Sequence, residues 1–291
     1  MDITQSALLF ASLLVLSVPA SAQTPASPPD FSGLWKRIYV IDQTFDPAPN
    51  ALGQNLPSPI VQDPRYPRTN SNGVLRRPIA DDERESVIGL TQNWIPDVTN
   101  PILQPGTRVA LEEIARQELA GIPHPQPQTQ CLPSGAPLIL NTARAISILQ
   151  TPTEVIFLYS RDHHVRHVYL NQKHSADREH TWWGDSVGHY EGDTLVIDTI
   201  GQTDMTDTDR FGTRHSEEIH VVERYRLSED GGGIEVVFTV EDPIAFTTPW
   251  AASAHFVPDD FMFLEIVCAE NQREFWPGRE IYFPTGDTPD F

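Results

Sequence analysis

Between Pro137 and Phe283 short apolar runs alternate with polar residues, and turn-forming residues interrupt them about every 10 to 15 positions. A chain patterned in this way satisfies its backbone by pairing strand with strand. A sheet of so many short strands then closes on itself or folds over into a sandwich. The predicted strands are Ala145 to Gln150, Glu154 to Ser160, Val165 to Leu170, Ser186 to Tyr190, Thr194 to Thr199, Glu218 to Leu227, Ile234 to Glu241, Phe261 to Ala269 and Arg273 to Phe275. Thr151-Pro152, Glu191-Gly192-Asp193 and Asp230 to Gly233 supply turns, the carboxylates of Glu191 and Asp193 being expected to hold backbone N–H groups. The expected fold is mainly β, an antiparallel β-barrel or barrel-like sandwich with an N-terminal loop belt and one helix.

Upstream the texture changes. Thr24 to about Gly106 is rich in Pro, Asn, Gly and Asp and reads as ordered loop laid on a core, with Phe31 to Ile41 alternating well enough for a first strand. Thr107 to Gly121 reads as a helix: Leu111, Ile114, Ala115 and Leu119 share a face, Thr107 can cap it and Gly121 can end it. The expected layout is a signal peptide over 1–22, a belt with first strand and helix over 23–136, and a barrel body over 137–291, the last two forming one domain. A chain of 291 residues is long enough to bury a substantial core.

Ala7 to Val18 is a short apolar core and Ala20-Ser21-Ala22 fits a signal peptidase, so the mature chain is expected to begin at Gln23 and to be secreted or periplasmic. No other segment approaches the roughly 18 apolar residues of a membrane span. Cys131 and Cys268 are the only cysteines. Without CxxC spacing they read most simply as one disulfide formed in an oxidising compartment. The lack of any N-x-S/T sequon favours a bacterial envelope. Forty acidic against 20 basic residues, a net charge of -20, oppose nucleic acid and anionic membranes as partners.

Ionisable residues on apolar strand faces mark candidate chemistry, because a buried carboxylate must be paired or used. Glu223 shares a face with Val221, Tyr225 and Leu227, Asp242 with Val236, Phe238 and Val240, and Glu265 with Phe261, Phe263 and Val267. Glu223 and Asp242 either pair with Arg166, Arg224 or Arg226, accept backbone N–H groups at strand ends, or form a polar pocket floor that does acid–base work. Ser160 to Asp177 holds four of the ten histidines. An unbroken strand there places His164 and Arg166 on the face of Ile156 and Leu158, and His163 and His167 with Tyr169. A metal pair from His163 and His167, completed by His174, His180 or Asp185, matches no enforced ligand motif. Gly184-Asp185-Ser186-Val187-Gly188 matches G-x-S-x-G, but turn and strand follow where a nucleophile elbow needs a helix. Aromatic side chains, Tyr159, Tyr169, Trp182, Trp183, Tyr225 and Trp250, accompany these groups, and no phosphate or dinucleotide loop occurs.

The blocks CLPSGAP, DHHVRHVYL, WGDSVGHYEGDTLVIDT, HSEEIHVVERYR and EDPIAFTTPW, in that order, resemble a large, mostly uncharacterised family of secreted bacterial proteins. That family carries CLPxGxP, GxSxGxWEGDTLVVDT, ER and DPxxxxxPW blocks, and the resemblance spans roughly Asp30 to Asn271. It implies a signal peptide, one domain and pairing of the two Cys-containing blocks, but no activity. Matched site candidates are Asp162, His163, Arg166, Tyr169, Trp183, Ser186, Glu191, His215, Glu223 and Asp242. The chain departs at Tyr190, where the family pattern has Trp, and at Asn171-Gln172, where it has Asp-Gly. Gly33-x-Trp35 also echoes the G-x-W that opens lipocalin-like barrels, whose Trp plugs one end.

The functional expectation is a cofactor-independent lyase, isomerase or cyclase acting on a small apolar or aromatic molecule. His163 or Asp185 moves the proton, Arg166 stabilises negative charge, His215 assists, and Tyr159, Tyr169, Trp183, His189, Glu223 and Asp242 line the pocket. The alternatives are a non-catalytic hydrophobic ligand-binding protein and a metal-dependent hydrolase. No cofactor and no resident metal are expected, and the oligomeric state is left open.

Overall fold

The computed structural model describes residues 27–37, 45–50, 53–54, 97–119, 124, 126–141, 145–161, 163–229, 231–260, 263 and 265–268. The signal segment, Asp162, Gly121 and the strand expected at Arg273 to Phe275 lie outside them. The elements run β1 (Gly33–Arg37), β2 (Asp46–Pro47), α1 (Pro105–Leu119), β3 (Ile146–Gln150), β4 (Glu154–Tyr159), β5 (Val165–Leu170), β6 (Asp185–Glu191), β7 (Thr194–Ile200), β8 (His220–Leu227), β9 (Ile234–Glu241) and β10 (Trp250–Pro258), with 3-10 turns at Pro127–Gln130 and Leu138–Asn141.

Strands β1 and β3 to β10 form one closed barrel of nine strands, lipocalin-like in outline, because β1 pairs with both β3 and β10. The two residues of β2 add to the outside of β10. An odd ring cannot alternate direction all the way round, so somewhere two neighbours must run parallel. The parallel pair is β5 and β6, joined by the long connection 171–184, and its ladder spans only Tyr169↔Val187 and Leu170↔Gly188. The barrel is therefore mixed rather than wholly antiparallel.

Alternation sends one face of each strand inward. Val155, Phe157 and Tyr159 of β4, Arg166, Val168 and Leu170 of β5, and Val221, Glu223 and Tyr225 of β8 are all buried. Phe157 stands opposite Arg166 and Ile156 opposite His167, so Arg166 faces inward with Phe157 and does not share the face of Ile156 and Leu158, as an unbroken strand would require. The cause is the bend at 160–164, which breaks the parity an unbroken strand would keep. Side chains fill the interior: the cavity among Trp35, Phe157, Tyr159, Tyr225 and Phe256 measures ≈ 10 Å³, about one water's worth. Trp35 is buried and donates its indole N–H to the Phe31 carbonyl at 2.9 Å.

The two ends differ. One is sealed by segments 97–119, 126–141, 201–219 and 243–249, with Leu103 bridged to Phe246 and a Cys131–Cys268 disulfide whose Cα atoms are 5.4 Å apart. Helix α1 belongs to this seal, with Leu111, Ile114 and Ala115 buried. It begins at Pro105, and Thr107 gives its hydroxyl to the Ala245 carbonyl at 3.0 Å instead of capping. The other end carries the turns after β3, β6 and β8. Strand β10 was not expected: Ala251, Ala252 and Ala254 are buried on both faces, which erases alternation. The strand expected over Phe261 to Ala269 appears in its described part only as an isolated bridge from Ile266 to Arg161, and Glu265 is exposed rather than inward.

Candidate functional site

Four polar regions compete for a functional role. The first lies inside the barrel, beyond the short β5–β6 ladder, where side chains hold the wall together. Arg166 Nη1 and Nη2 donate to Glu223 Oε1 and Oε2 at 3.1 and 2.5 Å, Nε and Nη2 to Ser186 Oγ at 3.3 and 3.2 Å, and Nη2 to Thr199 Oγ1 at 2.8 Å. The Tyr225 hydroxyl donates to Glu223 Oε1 at 3.0 Å. Burial alone would depress the Arg166 pKa, but the Glu223 charge overrides it and the guanidinium is held more firmly charged than usual. Burial pushes both Tyr159 and Tyr225 well above the ordinary phenol value. Arg166 thus bridges β5 to β6, β7 and β8, and its fork is committed to these partners. Ser186 sits in this network, on a strand, as the absence of a following helix implied.

The second region is the sealed end. Asp242 accepts Ser216 N and Oγ at 2.6 and 2.9 Å and the amides of Ile244 and Ala245 at 3.0 and 3.1 Å, which organises the exit of β9. His215 Nδ1 meets the Ser216 carbonyl at 2.8 Å and Nε2 meets Thr206 Oγ1 at 2.5 Å. Burial holds this imidazole below its ordinary pKa, so the neutral ring donates from Nδ1 and accepts the Thr206 hydroxyl. That is the contact of a base with a hydroxyl nucleophile, but Thr206 is fully buried. Gly135 of CLPSGAP closes over it: in its left-handed conformation (φ 67°) a Cβ would stand 2.7 Å from Gln202 Oε1 and 3.0 Å from Thr206 Oγ1. Asp209 accepts the amides of Phe211 and Thr213, and burial raises its pKa to about 6.

The third region lies on the outer wall. His174 Nδ1 faces Asp185 Oδ2 at 3.2 Å and its Nε2 faces Asp198 Oδ1 at 3.1 Å. His220 Nε2 meets the same Asp198 oxygen at 2.9 Å, and its Nδ1 lies 3.7 Å from Glu241. Carboxylates and imidazoles thus alternate across β6, β7, β8 and β9, partly open to solvent. The Asp198 hydrogen bond raises the His220 pKa. Burial alone would raise Asp198, but the two imidazoles hold it lower. Among the described residues no three or more His, Cys, Asp or Glu are arranged to hold a metal ion.

The fourth region is a cleft of ≈ 450 Å³ at the open end, where Pro28, Pro29 and Asp30 of the N-terminal arm face Pro152, Leu170 and Tyr190. Gln150 is spent on structure: its Oε1 accepts Phe31 N and Ser32 Oγ, and its Nε2 donates to the Pro29 carbonyl and to Tyr190 Oη at 3.0 and 2.7 Å. Tyr190 Oη therefore accepts, and its own proton is left to donate into the cleft. Asn171, in the left-handed region at φ 56°, anchors its backbone N to the Gly188 carbonyl at 2.7 Å, and its side-chain amide meets no partner among the described residues. Asp30 is held below the usual carboxylate pKa by the Ser32 amide, so it presents a negative charge.

The residues expected to act together occupy separate places. Arg166 and Glu223 are inside, Asp185 is in the outer ladder, and His215 and Asp242 are in the seal. His163 is exposed, 6.3 Å from the Phe263 ring. Trp183 stacks on Tyr159 at 5.4 Å, Tyr169 stacks on His167 at 6.2 Å, and His189 meets Glu191 at 3.0 Å. Glu191 and Asp193 bind Arg224 and Arg226 of β8 at 2.5 and 3.0 Å, and Asp193 also accepts the Thr194 hydroxyl at 3.0 Å. Sequence reasoning passed over Asp198, His220 and Glu241, whose alignment depends on strand register, and Gln150; it marked Asn171 and Tyr190 only as departures from the resembled pattern, because their free valences appear only once partners are counted. Neither a model of any known protein family nor any curated protein matches the chain.

Proposed function

We propose that this is an exported protein that binds a small organic molecule in the cleft at the open end of the barrel. The observation that carries this reading is the Tyr190 hydroxyl, held as an acceptor by Gln150 and left with one proton to give, in a cleft large enough for a small ligand. The Pro28, Pro29, Pro152 and Leu170 walls favour an apolar or aromatic body, and the Asp30 charge disfavours an anionic one. The fitting ligand is uncharged or cationic and carries a hydrogen-bond acceptor for Tyr190. Both departures from the resembled family pattern, Tyr190 and Asn171, line this cleft, which supports a ligand particular to this chain. The disulfide supports an oxidising compartment.

Native mass spectrometry of the purified protein is expected to reveal a bound molecule of this class. Its affinity should fall about tenfold in Tyr190→Phe, the size of one lost hydrogen bond. Unchanged affinity in that variant would sink the assignment. Lyase, isomerase or cyclase turnover is the second reading, favoured by the partly open Asp185–His174 pair. Recovery of the ligand chemically unchanged after incubation supports binding alone.

A further inference from the structure

We infer that His174 acts as a two-sided clasp, holding the connection 171–184 against the barrel wall while its ring donates from both nitrogens and releasing it when one N–H is lost, with His220 bracing the Asp198 carboxylate that it grips. Because β5 and β6 run parallel, this connection must travel the length of the barrel outside the wall. Backbone bonds fix it at its ends: Asn171 N to the Gly188 carbonyl, and Thr181 N to the Gly201 carbonyl with Thr203 N returning to Thr181. Between them most residues are exposed. There the segment is held by Ser175 N to Asp185 Oδ2 at 2.8 Å, by His174 between Asp185 and Asp198, by the Arg178 stem lying against Gly201, and by a longer His180–Glu217 approach of 3.9 Å.

Donor counting makes the clasp depend on protonation. A neutral imidazole has one N–H and one lone pair, whereas both nitrogens of His174 lie within hydrogen-bond distance of carboxylate oxygens; His220 has one such contact, to Asp198, and a longer approach of 3.7 Å to Glu241. Only the imidazolium donates on both sides. Loss of a proton turns one side of the His174 ring into a lone pair facing a carboxylate. The charged groups facing the two rings are Asp185 from β6, Asp198 from β7 and Glu241 from β9, all acidic, so no other cation takes over. The donor count fixes the sign: the clasp is complete while the His174 ring carries both N–H groups and is lost as pH rises. The Asp198 bond raises the His220 pKa, so the brace beside it responds in the same direction.

Trypsin cleavage after Lys173 in the full, disulfide-bonded chain tests the clasp, each rate being divided by that of a free peptide of the same segment at the same pH. The normalised rate is expected to rise about tenfold between pH 6 and pH 8.5. It should be fast at both values in His174→Gln and in the isosteric Asp198→Asn, with circular dichroism unchanged. Equal normalised rates for the unaltered chain at the two pH values would overturn the inference. So would His174→Gln retaining the full pH dependence, or EDTA abolishing protection at pH 6, which would assign the ladder to a metal ion instead of protons.

Discussion

The two ends of the barrel hold similar polar residues and use them in opposite ways. At the sealed end Asp242, His215, Thr206, Gln202 and Asp209 are buried, and their main bonds run to one another and to loop backbone. At the open end Gln150 consumes its own valences to fix the N-terminal arm, and in doing so leaves the Tyr190 proton unclaimed in a cleft of ≈ 450 Å³. Density of ionisable residues therefore marks construction at one end, and a leftover valence marks the site proposed for recognition at the other. The Arg166–Glu223 network between them belongs to construction as well.

The contrast can be broken by substitution, the largest effects falling on stability. Removing the disulfide with Cys131→Ser and Cys268→Ser is expected to cost about 5 kcal/mol, from chain entropy for a separation of 137 residues. Urea unfolding checks this, and a loss under 1 kcal/mol would show that the seal does not depend on the bridge. Next comes Arg166→Met, expected to cost about 3 to 5 kcal/mol by stranding Glu223, with Arg166→Met/Glu223→Leu restoring most of it. A double variant as unstable as the single one would return the network to candidate chemistry.

A smaller effect sharpens the sealed-end reading through its pH dependence. The Asp209 pKa is raised by burial to about 6, against an ordinary 3.8. A raised carboxyl pKa means the ionised group opposes folding, so its cost is absent below the ordinary value and complete above pH 6. Asp209→Asn should therefore stabilise by up to about 3 kcal/mol at pH 8 and by little at pH 3.5. A gain independent of pH would contradict the burial argument. The smallest stability effect belongs to the open end: Tyr190→Phe, which removes the acceptor of the Gln150 amide, should cost about 0.5 to 1 kcal/mol of stability while weakening ligand about tenfold.

Much of the barrel was legible because alternation with period two is written directly in the chain, and β5 and β9 fall where the pattern put them. Strand β10 was hidden by its small residues, buried on both faces, and the parallel pair by a connection with no periodicity of its own. Glu223 and Asp242 were recognisable as buried carboxylates, and the structural partners expected for them, Arg166 and strand-end amides, are the ones they have. Which carboxylate meets which histidine across β6 to β9 depends on register, which no local pattern encodes. The sealed loop 201–214 left no signal beyond its run of Thr and Asp.

The central claim is that recognition takes place in the rim cleft while the barrel interior stays packed. An NMR screen of small uncharged and cationic aromatic compounds against the labelled protein tests it most directly. The expected result is that shifts from binders cluster on Ser32, Gln150, Leu170, Asn171 and Tyr190 and need about tenfold more ligand in Tyr190→Phe. Shifts centred on Tyr159, Arg166 and Tyr225, or on Thr206 and His215, would place the ligand in the interior or the seal and contradict the account.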